Sequence, residues 1–198
     1  MSDVDDSLAG VPRSTPPGVP GAARPGVPRN TWGQEGYAAW MGLALAEAGR
    51  AVGSGDVPIG AVVIGPGGDV VGRGRNVREE HADPTGHAEV VALREAGKAL
   101  GEWRLEGCSL VVTLEPCAMC AGASVLARVD RIVFGAWDEK AGACGSVWDL
   151  PRDRRALHRP EVVGGVREEE CGRLLLDFFR QRRPDAHVSG ESWPLEGP

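Results

Sequence analysis

Two short segments constrain the fold of this chain more than any other feature. They are His87-Ala88-Glu89 and Pro116-Cys117-Ala118-Met119-Cys120. Each stands where a polar loop or an apolar strand gives way to a helical pattern, so we expect each at the start of a helix. The two cysteines are three positions apart and therefore share one helix face. A fold that brings the segments together places an imidazole, two thiols and a carboxylate around one point.

This group of side chains suits a zinc ion. The positive end of a helix favours thiolate over thiol, which prepares Cys117 and Cys120 as ligands. A proline such as Pro116 is tolerated at a helix entry, because its missing N–H is not needed there. A neutral imidazole from His87 adds a third ligand, and catalytic zinc sites use three protein ligands and leave the fourth position to water. We predict that these three residues hold zinc.

Glu89 is not needed as a ligand, which leaves it available for proton transfer. A carboxylate beside a zinc-activated water can accept a proton and later return it. Residues i and i+2 diverge on a regular helix, so His87 and Glu89 can face one site only near the helix end. We therefore predict Glu89 as the catalytic acid and base.

Other interpretations of the cysteines remain open. The chain has five cysteines, an odd number with uneven spacing, which does not indicate a disulfide framework. A structural zinc site would need a fourth ligand, and Cys108, Cys144 or Cys171 could supply it. A redox Cys-x-x-Cys pair would leave the roles of His87 and Glu89 unexplained.

Helical and strand patterns alternate along the chain. We predict a β-hairpin formed by residues 57–64 and 70–72, a polar loop at 76–86, further strands at 108–114 and 131–134, and helices at 34–51, 87–100, 117–127 and 167–182. Strands separated by helices favour a three-layer α/β/α domain around a mixed central sheet of about five strands, with an antiparallel hairpin and parallel crossovers.

Composition divides the chain into three parts. Residues 1–31 form a Pro- and Gly-rich leader that we expect to be disordered, residues 32–183 the folded domain, and residues 184–198 a flexible tail. The net charge of −6 gives no chain-wide attraction to nucleic acid, although residues 152–183 hold nine Arg against six acids. With no signal sequence and no apolar run of membrane-spanning length, we expect a cytoplasmic protein.

His-x-Glu followed by Pro-Cys-x-x-Cys is the known signature of zinc nucleobase deaminases. Across about residues 37–183 the sequence resembles bacterial tRNA-specific adenosine deaminases of the cytidine and deoxycytidylate deaminase superfamily. The resemblance lies in the segments 57–62, 83–89, 114–123, 133–136, 138–146 and 177–180.

This resemblance implies a cytidine-deaminase-like fold and a homodimer with one Zn²⁺ per subunit. It implies hydrolysis of adenosine to inosine at the wobble position of a tRNA anticodon, with His87, Cys117 and Cys120 on zinc and Glu89 moving protons. The anticodon stem-loop would be the partner, and no DNA or membrane partner is expected.

The resemblance also implies a set of substrate-binding residues. Asn76 would contact the flipped base, Asp138 would contact the anticodon loop, and Arg180 would lie near RNA on a basic last helix. Ala88 and Phe179 complete the set. Trp137 stands where the best-known members carry Arg; it lacks the phosphate-pairing cation but could stack on a base. A small-molecule deaminase of the same superfamily, acting on guanine or cytosine, is the alternative that the net negative charge motivates.

Overall fold

Helices and strands alternate along residues 33–182, the part of the chain that this computed structural model describes. The elements are α1 (Gln34–Ala51), β1 (Gly60–Ile64), β2 (Val70–Arg75), α2 (Arg78–His81), α3 (Ala88–Leu100), β3 (Ser109–Leu114), α4 (Ala118–Leu126), β4 (Arg131–Ala136), β5 (Glu161–Val163) and α5 (Glu168–Arg182). The predicted leader, residues 1–31, and the predicted tail, residues 184–198, lie outside the described residues.

The five strands form one mixed sheet in the order β2-β1-β3-β4-β5. The hairpin β1–β2 is antiparallel and β1 also runs antiparallel to β3, whereas β4 and β5 run parallel to β3. The parallel pair β3–β4 is connected through α4, as a crossover between parallel strands requires. The predicted mixed sheet of about five strands is confirmed.

Helices cover both faces of this sheet. Helices α3 and α4 pack on one face and build the core around Leu110 and Phe134. Helices α1 and α5 pack on the other face, where Met41, Val111 and Cys171 are buried. Because both faces are covered, every residue of β1 and β4 is buried. The three-layer α/β/α architecture is therefore confirmed.

Helix α3 lies unusually close to strand β2. A Cβ atom at Gly72 would overlap the carbonyl oxygen of Ala92, and one at Gly74 would overlap that of Ala88. Glycine at these two positions lets the helix backbone approach the strand directly. This contact fixes the first turn of α3 against the end of the hairpin.

Two short elements were not predicted, and strands β2 and β4 extend beyond the predicted 70–72 and 131–134. Helix α2 lies within the predicted 76–86 loop, where the carboxylate of Asp56 accepts hydrogen bonds from the backbone N–H groups of Glu79 (2.8 Å) and Glu80 (3.2 Å). Strand β5 has only three residues, which is too short for a periodic pattern, and it exists through its pairing with β4. Both elements depend on tertiary contacts rather than on local sequence.

Helix α1 is the longest helix described, with 18 residues, and it carries Glu35, Glu47 and Arg50 among its apolar positions. Within residues 33–182, no helix combines the length and the apolar character that crossing a bilayer requires.

Candidate zinc centre and active site

His87 and Glu89 stand at the N-terminus of α3. His87 is the N-cap residue, with extended backbone angles (φ −76°, ψ 146°), and its side chain does not cap the helix. Ala88 and Glu89 open the first turn and are buried. Because His87 precedes the helix, the divergence of i and i+2 side chains on a regular helix does not apply to this pair.

Cys117 and Cys120 occupy the equivalent place on α4. Cys117 is the N-cap residue (φ −69°, ψ 174°), so the helix begins at Ala118, one residue later than predicted. Pro116 therefore precedes the N-cap instead of opening the helix. Cys120 lies in the first turn and is fully buried. Strand β3 thus delivers both thiols at its carboxyl end.

The three predicted ligands meet. The Nδ1 atom of His87 lies 3.7 Å from Sγ of Cys117 and 3.5 Å from Sγ of Cys120. All three ligand atoms lie within 4.8 Å of one another. A tetrahedral ion with ordinary Zn–N and Zn–S bond lengths separates such a nitrogen and sulfur by about 3.6 Å. The donor set and its spacing therefore fit one zinc ion.

A fourth protein ligand is missing from this group. Among residues 33–182, the cluster consists of His87, Cys117 and Cys120, and neither Glu89 nor another cysteine belongs to it. The candidates for a closed structural site, Cys108, Cys144 and Cys171, are buried elsewhere in the fold. A three-ligand group matches a catalytic zinc site better than a structural one.

The thiols and the imidazole share their protons unevenly. Hydrogen bonding from Cys120, with a further contribution from His87, outweighs burial and lowers the pKa of Cys117 to about 3. The same hydrogen bond, together with desolvation, raises the pKa of the Cys120 thiol. Hydrogen bonding to Cys117 raises the pKa of His87. The thiolate form is therefore favoured at Cys117, whereas His87 and Cys120 hold their protons more firmly than usual, and ligand protons must leave when a metal binds.

Glu89 has the burial expected of a proton carrier. Its side chain is only 4% exposed. Desolvation raises the pKa of Glu89 to about 7, despite hydrogen bonds to the carboxylate from its own backbone N–H and from Cys120. A carboxyl group with a pKa near neutrality can both accept and return a proton at physiological pH.

Asn76 follows strand β2 and carries an unused acceptor. The residue is 5% exposed, and its Oδ1 atom is buried without a hydrogen-bond partner in the described chain. Its backbone N–H donates to the carbonyl of Ile59 (3.0 Å), so the backbone is held while the side-chain oxygen is not. Leaving a buried acceptor unpaired costs free energy, which a bound ligand with an N–H donor would recover.

The remaining predicted substrate-binding residues lie on two separate parts of the fold. Asp138 follows β4, and its Oδ1 accepts from the backbone N–H groups of Lys140 (3.0 Å) and Ala141 (3.2 Å), which makes it the organiser of a turn. Phe179 and Arg180 are exposed on α5, in the helix layer opposite to α3 and α4. The structure does not bring these two together with the metal ligands.

Glu115 is a buried carboxylate to which the sequence analysis assigned no role. Glu115, between β3 and Pro116, is 2% exposed, and it accepts hydrogen bonds from the backbone N–H groups of Asp138, Cys144 and Ser146. The available signal was an acidic residue at the end of an apolar strand. Its partners are backbone atoms 23 to 31 residues downstream, which no sequence pattern indicates.

Comparisons with known proteins agree with this geometry. The family model described as cytidine and deoxycytidylate deaminase zinc-binding region matches residues 34–136. A tRNA-specific adenosine deaminase of Bacillus subtilis (strain 168) is 51% identical over 144 residues, which cover 73% of this chain and 89% of that protein.

Two solved structures share the fold. One, from a study of A-to-I editing by tRNA:A34 deaminases at the wobble position of transfer RNA, has a TM-score of 0.67 and 43% identity, covering 69% of this chain and 99% of that one. A guanine deaminase from Nitrosomonas europaea has a TM-score of 0.60 and 25% identity, covering 71% and 83% of the two chains. By its family match, and by a relative that is 51% identical and is covered over 89% of its length, this chain belongs to the cytidine and deoxycytidylate deaminase family.

Proposed function

We propose that this protein is a tRNA adenosine deaminase that hydrolyses adenosine to inosine, with release of ammonia, at the wobble position of an anticodon. The observation that carries this proposal is the meeting of His87, Cys117 and Cys120 beside Glu89, in a chain 51% identical to a tRNA-specific adenosine deaminase. When bound by three protein ligands, zinc supplies a water molecule that is activated for attack at neutral pH.

The residues of the chain then have separate tasks. His87, Cys117 and Cys120 bind the ion. Glu89 accepts a proton from the attacking water and delivers one to the departing amine, so that adenosine and water become inosine and ammonia. Its burial supports this role, because a desolvated carboxyl group with a pKa near 7 changes its protonation state readily.

The substrate is recognised as an unstacked base. Anticodon loops are single-stranded, so the adenosine can be turned out of the loop into a pocket. The unpaired Oδ1 of Asn76 supports a contact with a purine N–H donor. We assign Ala88 to the wall of that pocket, and Asp138, Phe179 and Arg180 to the flanking anticodon stem-loop.

We further propose a cytoplasmic homodimer with one zinc ion per subunit, in which residues 32–183 form the catalytic domain. Two large apolar side chains of α4, Met119 and Leu126, are exposed, and such a surface suits a subunit interface. Sedimentation equilibrium of the full chain would measure the number of subunits, and zinc analysis would measure the number of zinc ions per subunit.

The test of function uses the full zinc-loaded chain and an anticodon stem-loop with adenosine at its first anticodon position. We expect inosine at that position by sequencing and one ammonia released for each inosine formed. A matched stem-loop with guanosine there serves as the control and should remain unchanged. Absence of inosine from a zinc-loaded, folded protein would contradict the proposal.

Guanine deamination is the second candidate, because the guanine deaminase structure shares this fold over most of both chains. The discriminating measurement offers free guanine, cytosine, adenosine and cytidine in parallel with the stem-loop. Turnover of guanine without turnover of the RNA would replace the proposed function by this alternative.

A further inference from the structure

The carboxylate of Glu115 is the centre of a hydrogen-bond cluster that the proposed chemistry does not use. Its Oε1 accepts from the backbone N–H groups of Cys144 (2.9 Å) and Ser146 (3.1 Å), and its Oε2 accepts from that of Asp138 (3.1 Å). All three donors belong to the 138–146 loop that follows β4. One buried side chain therefore holds both ends of this loop.

The same loop is attached to the segment that carries a metal ligand. The backbone N–H of Ala143 donates to the carbonyl of Pro116 (2.8 Å), and Cys117 forms an isolated antiparallel bridge with Gly142. Packing is so close here that a Cβ atom at Gly142 would overlap the carboxylate of Glu115. The loop, the carboxylate and the Cys117 segment thus form one packed unit.

We propose that Glu115 is a positioning residue that holds the 138–146 loop against the Pro116–Cys117 segment and so presents Asp138 beside the metal centre for contact with RNA. This inference rests on the proposed function. Glu115 touches neither the metal ligands' side chains nor the substrate in this proposal. It acts through the loop that it orders.

A carboxylate is required because of the number of donors. Three N–H groups need acceptor lone pairs on both oxygens, and an ionised carboxylate offers them without a competing donor. In Glu115→Gln the side chain has one amide oxygen and one NH₂ group in place of two carboxylate oxygens. The NH₂ group, which is itself a donor, must then face at least one of the three backbone N–H donors. The loop then loses hydrogen bonds to a charged acceptor and leaves buried donors unpaired.

The experiment compares Glu115→Gln with Glu47→Gln, using the full zinc-loaded chain and the anticodon stem-loop. Glu47 is also buried, but it lies on α1 in the opposite helix layer and pairs with Arg50 and Arg73. If the loop contacts RNA equally in the ground and transition states, its release raises KM and leaves kcat nearly unchanged. We expect Glu115→Gln to raise KM about 10-fold or more, consistent with a charged hydrogen bond lost, with unchanged zinc content. Glu47→Gln should leave KM unchanged.

A second variant covers the possibility that Glu115→Gln does not fold. In Gly142→Ala the new methyl group occupies the space of the Glu115 carboxylate and displaces it without changing Glu115 itself. This variant should raise KM as Glu115→Gln does. Because both substitutions disrupt the same contact between Glu115 and the loop, the KM of the double variant should not exceed the higher KM of the two single variants. Additive effects, or a melting temperature lowered in both variants with wild-type KM, would overturn the proposal.

A readout independent of activity separates this inference from the proposed function. Backbone amide exchange in the 138–146 loop should rise in Glu115→Gln relative to both wild type and Glu47→Gln. If the wild type does not act on RNA while loop exchange rises, the proposed function fails and the holding role of Glu115 stands. Unchanged loop exchange in a folded Glu115→Gln variant refutes the role itself.

Discussion

The Nδ1 atom of His87 lies 3.5 Å from the Sγ atom of Cys120, although the two residues are 33 positions apart in the chain. They meet because α3 and α4 lie on the same face of the sheet and begin close to each other. Two helix N-termini then point their partial positive charges at the same cluster, which favours the anionic form that zinc requires.

Zinc affinity is expected to fall as the pH falls. The pKa values of His87 and Cys120 are both raised, so each of these ligands gives up its proton at a higher pH than usual, and that proton must leave when the metal binds. Cys117, with its pKa lowered to about 3, contributes no pH dependence above about pH 5. Each proton released changes the affinity about 10-fold per pH unit. Competition with a chelator of known affinity at pH 6, 7 and 8 measures the slope.

Two serine variants calibrate that measurement. Cys117→Ser should lose zinc, whereas Cys171→Ser, at a buried position on α5, should retain it with the wild-type slope. An affinity that does not change between pH 6 and pH 8 would contradict the assignment of His87 and Cys120 as ligands.

Glu89→Gln should separate metal binding from catalysis. Glutamine keeps the volume and the polarity of the buried side chain but cannot carry the proton. Because Glu89 does not belong to the ligand cluster, zinc content should remain at the wild-type value. The deamination rate should fall by about 10² to 10⁴-fold, the range for loss of a positioned acid and base. Single-turnover deamination and zinc analysis of the same sample measure the rate and the metal content together. A variant that remains fully active contradicts the proton-transfer role.

The sequence was most informative where local pattern and tertiary structure agree. The periodicity of residues 34–51 predicted α1 with the bounds that the structure gives it, and the β-branched run ending at Leu114 predicted β3. The candidate metal ligands could be picked out of the sequence because the chemically active residues of each segment are local, at a helix start. Only the meeting of the two pairs required the fold.

The remaining features depend on contacts between distant residues. Helix α2 forms because Asp56 accepts from its first backbone N–H groups, and that acid lies more than 20 residues earlier. The role of Glu115 depends on three backbone donors in a later loop. The unpaired Oδ1 of Asn76 is defined by a missing partner, which residue types alone cannot indicate.

Asn76→Ala should lower activity without lowering stability. The variant removes a buried acceptor that has no partner, so the folded state loses no hydrogen bond at that atom. The melting temperature should therefore be equal to or above that of the wild type. If the oxygen serves a purine donor, kcat/KM on the stem-loop should fall about 10-fold, equivalent to one hydrogen bond. Thermal unfolding tests the expected stability, and steady-state kinetics tests the expected loss of activity. A destabilised variant with unchanged kcat/KM would assign Asn76 a structural role alone.

Trp137 provides the last prediction, because its ring is both exposed and fixed. It is 44% exposed and stands edge-on to Phe134, with ring centroids 4.8 Å apart. A Cβ atom at Gly164 would approach the ring to 2.9 Å, so the indole also packs against that backbone. A pre-ordered aromatic surface next to Asp138 suits stacking by a base of the anticodon loop, and such stacking contributes about 1–3 kcal/mol per base.

Trp137→Ala should therefore raise KM for the stem-loop about 5- to 150-fold with little change in kcat. Trp103→Ala is the matched control, since Trp103 is 64% exposed but follows the C-terminal end of α3. At about 1.5 Å per residue, the helix end at Leu100 lies about 17 Å from Glu89. Trp137→Arg should recover binding through a phosphate contact, and its KM should then depend more steeply on salt than that of the wild type. If Trp137→Ala binds RNA as the wild type does, the indole serves only to pack against Phe134, because a stacking surface cannot be removed without loss of affinity.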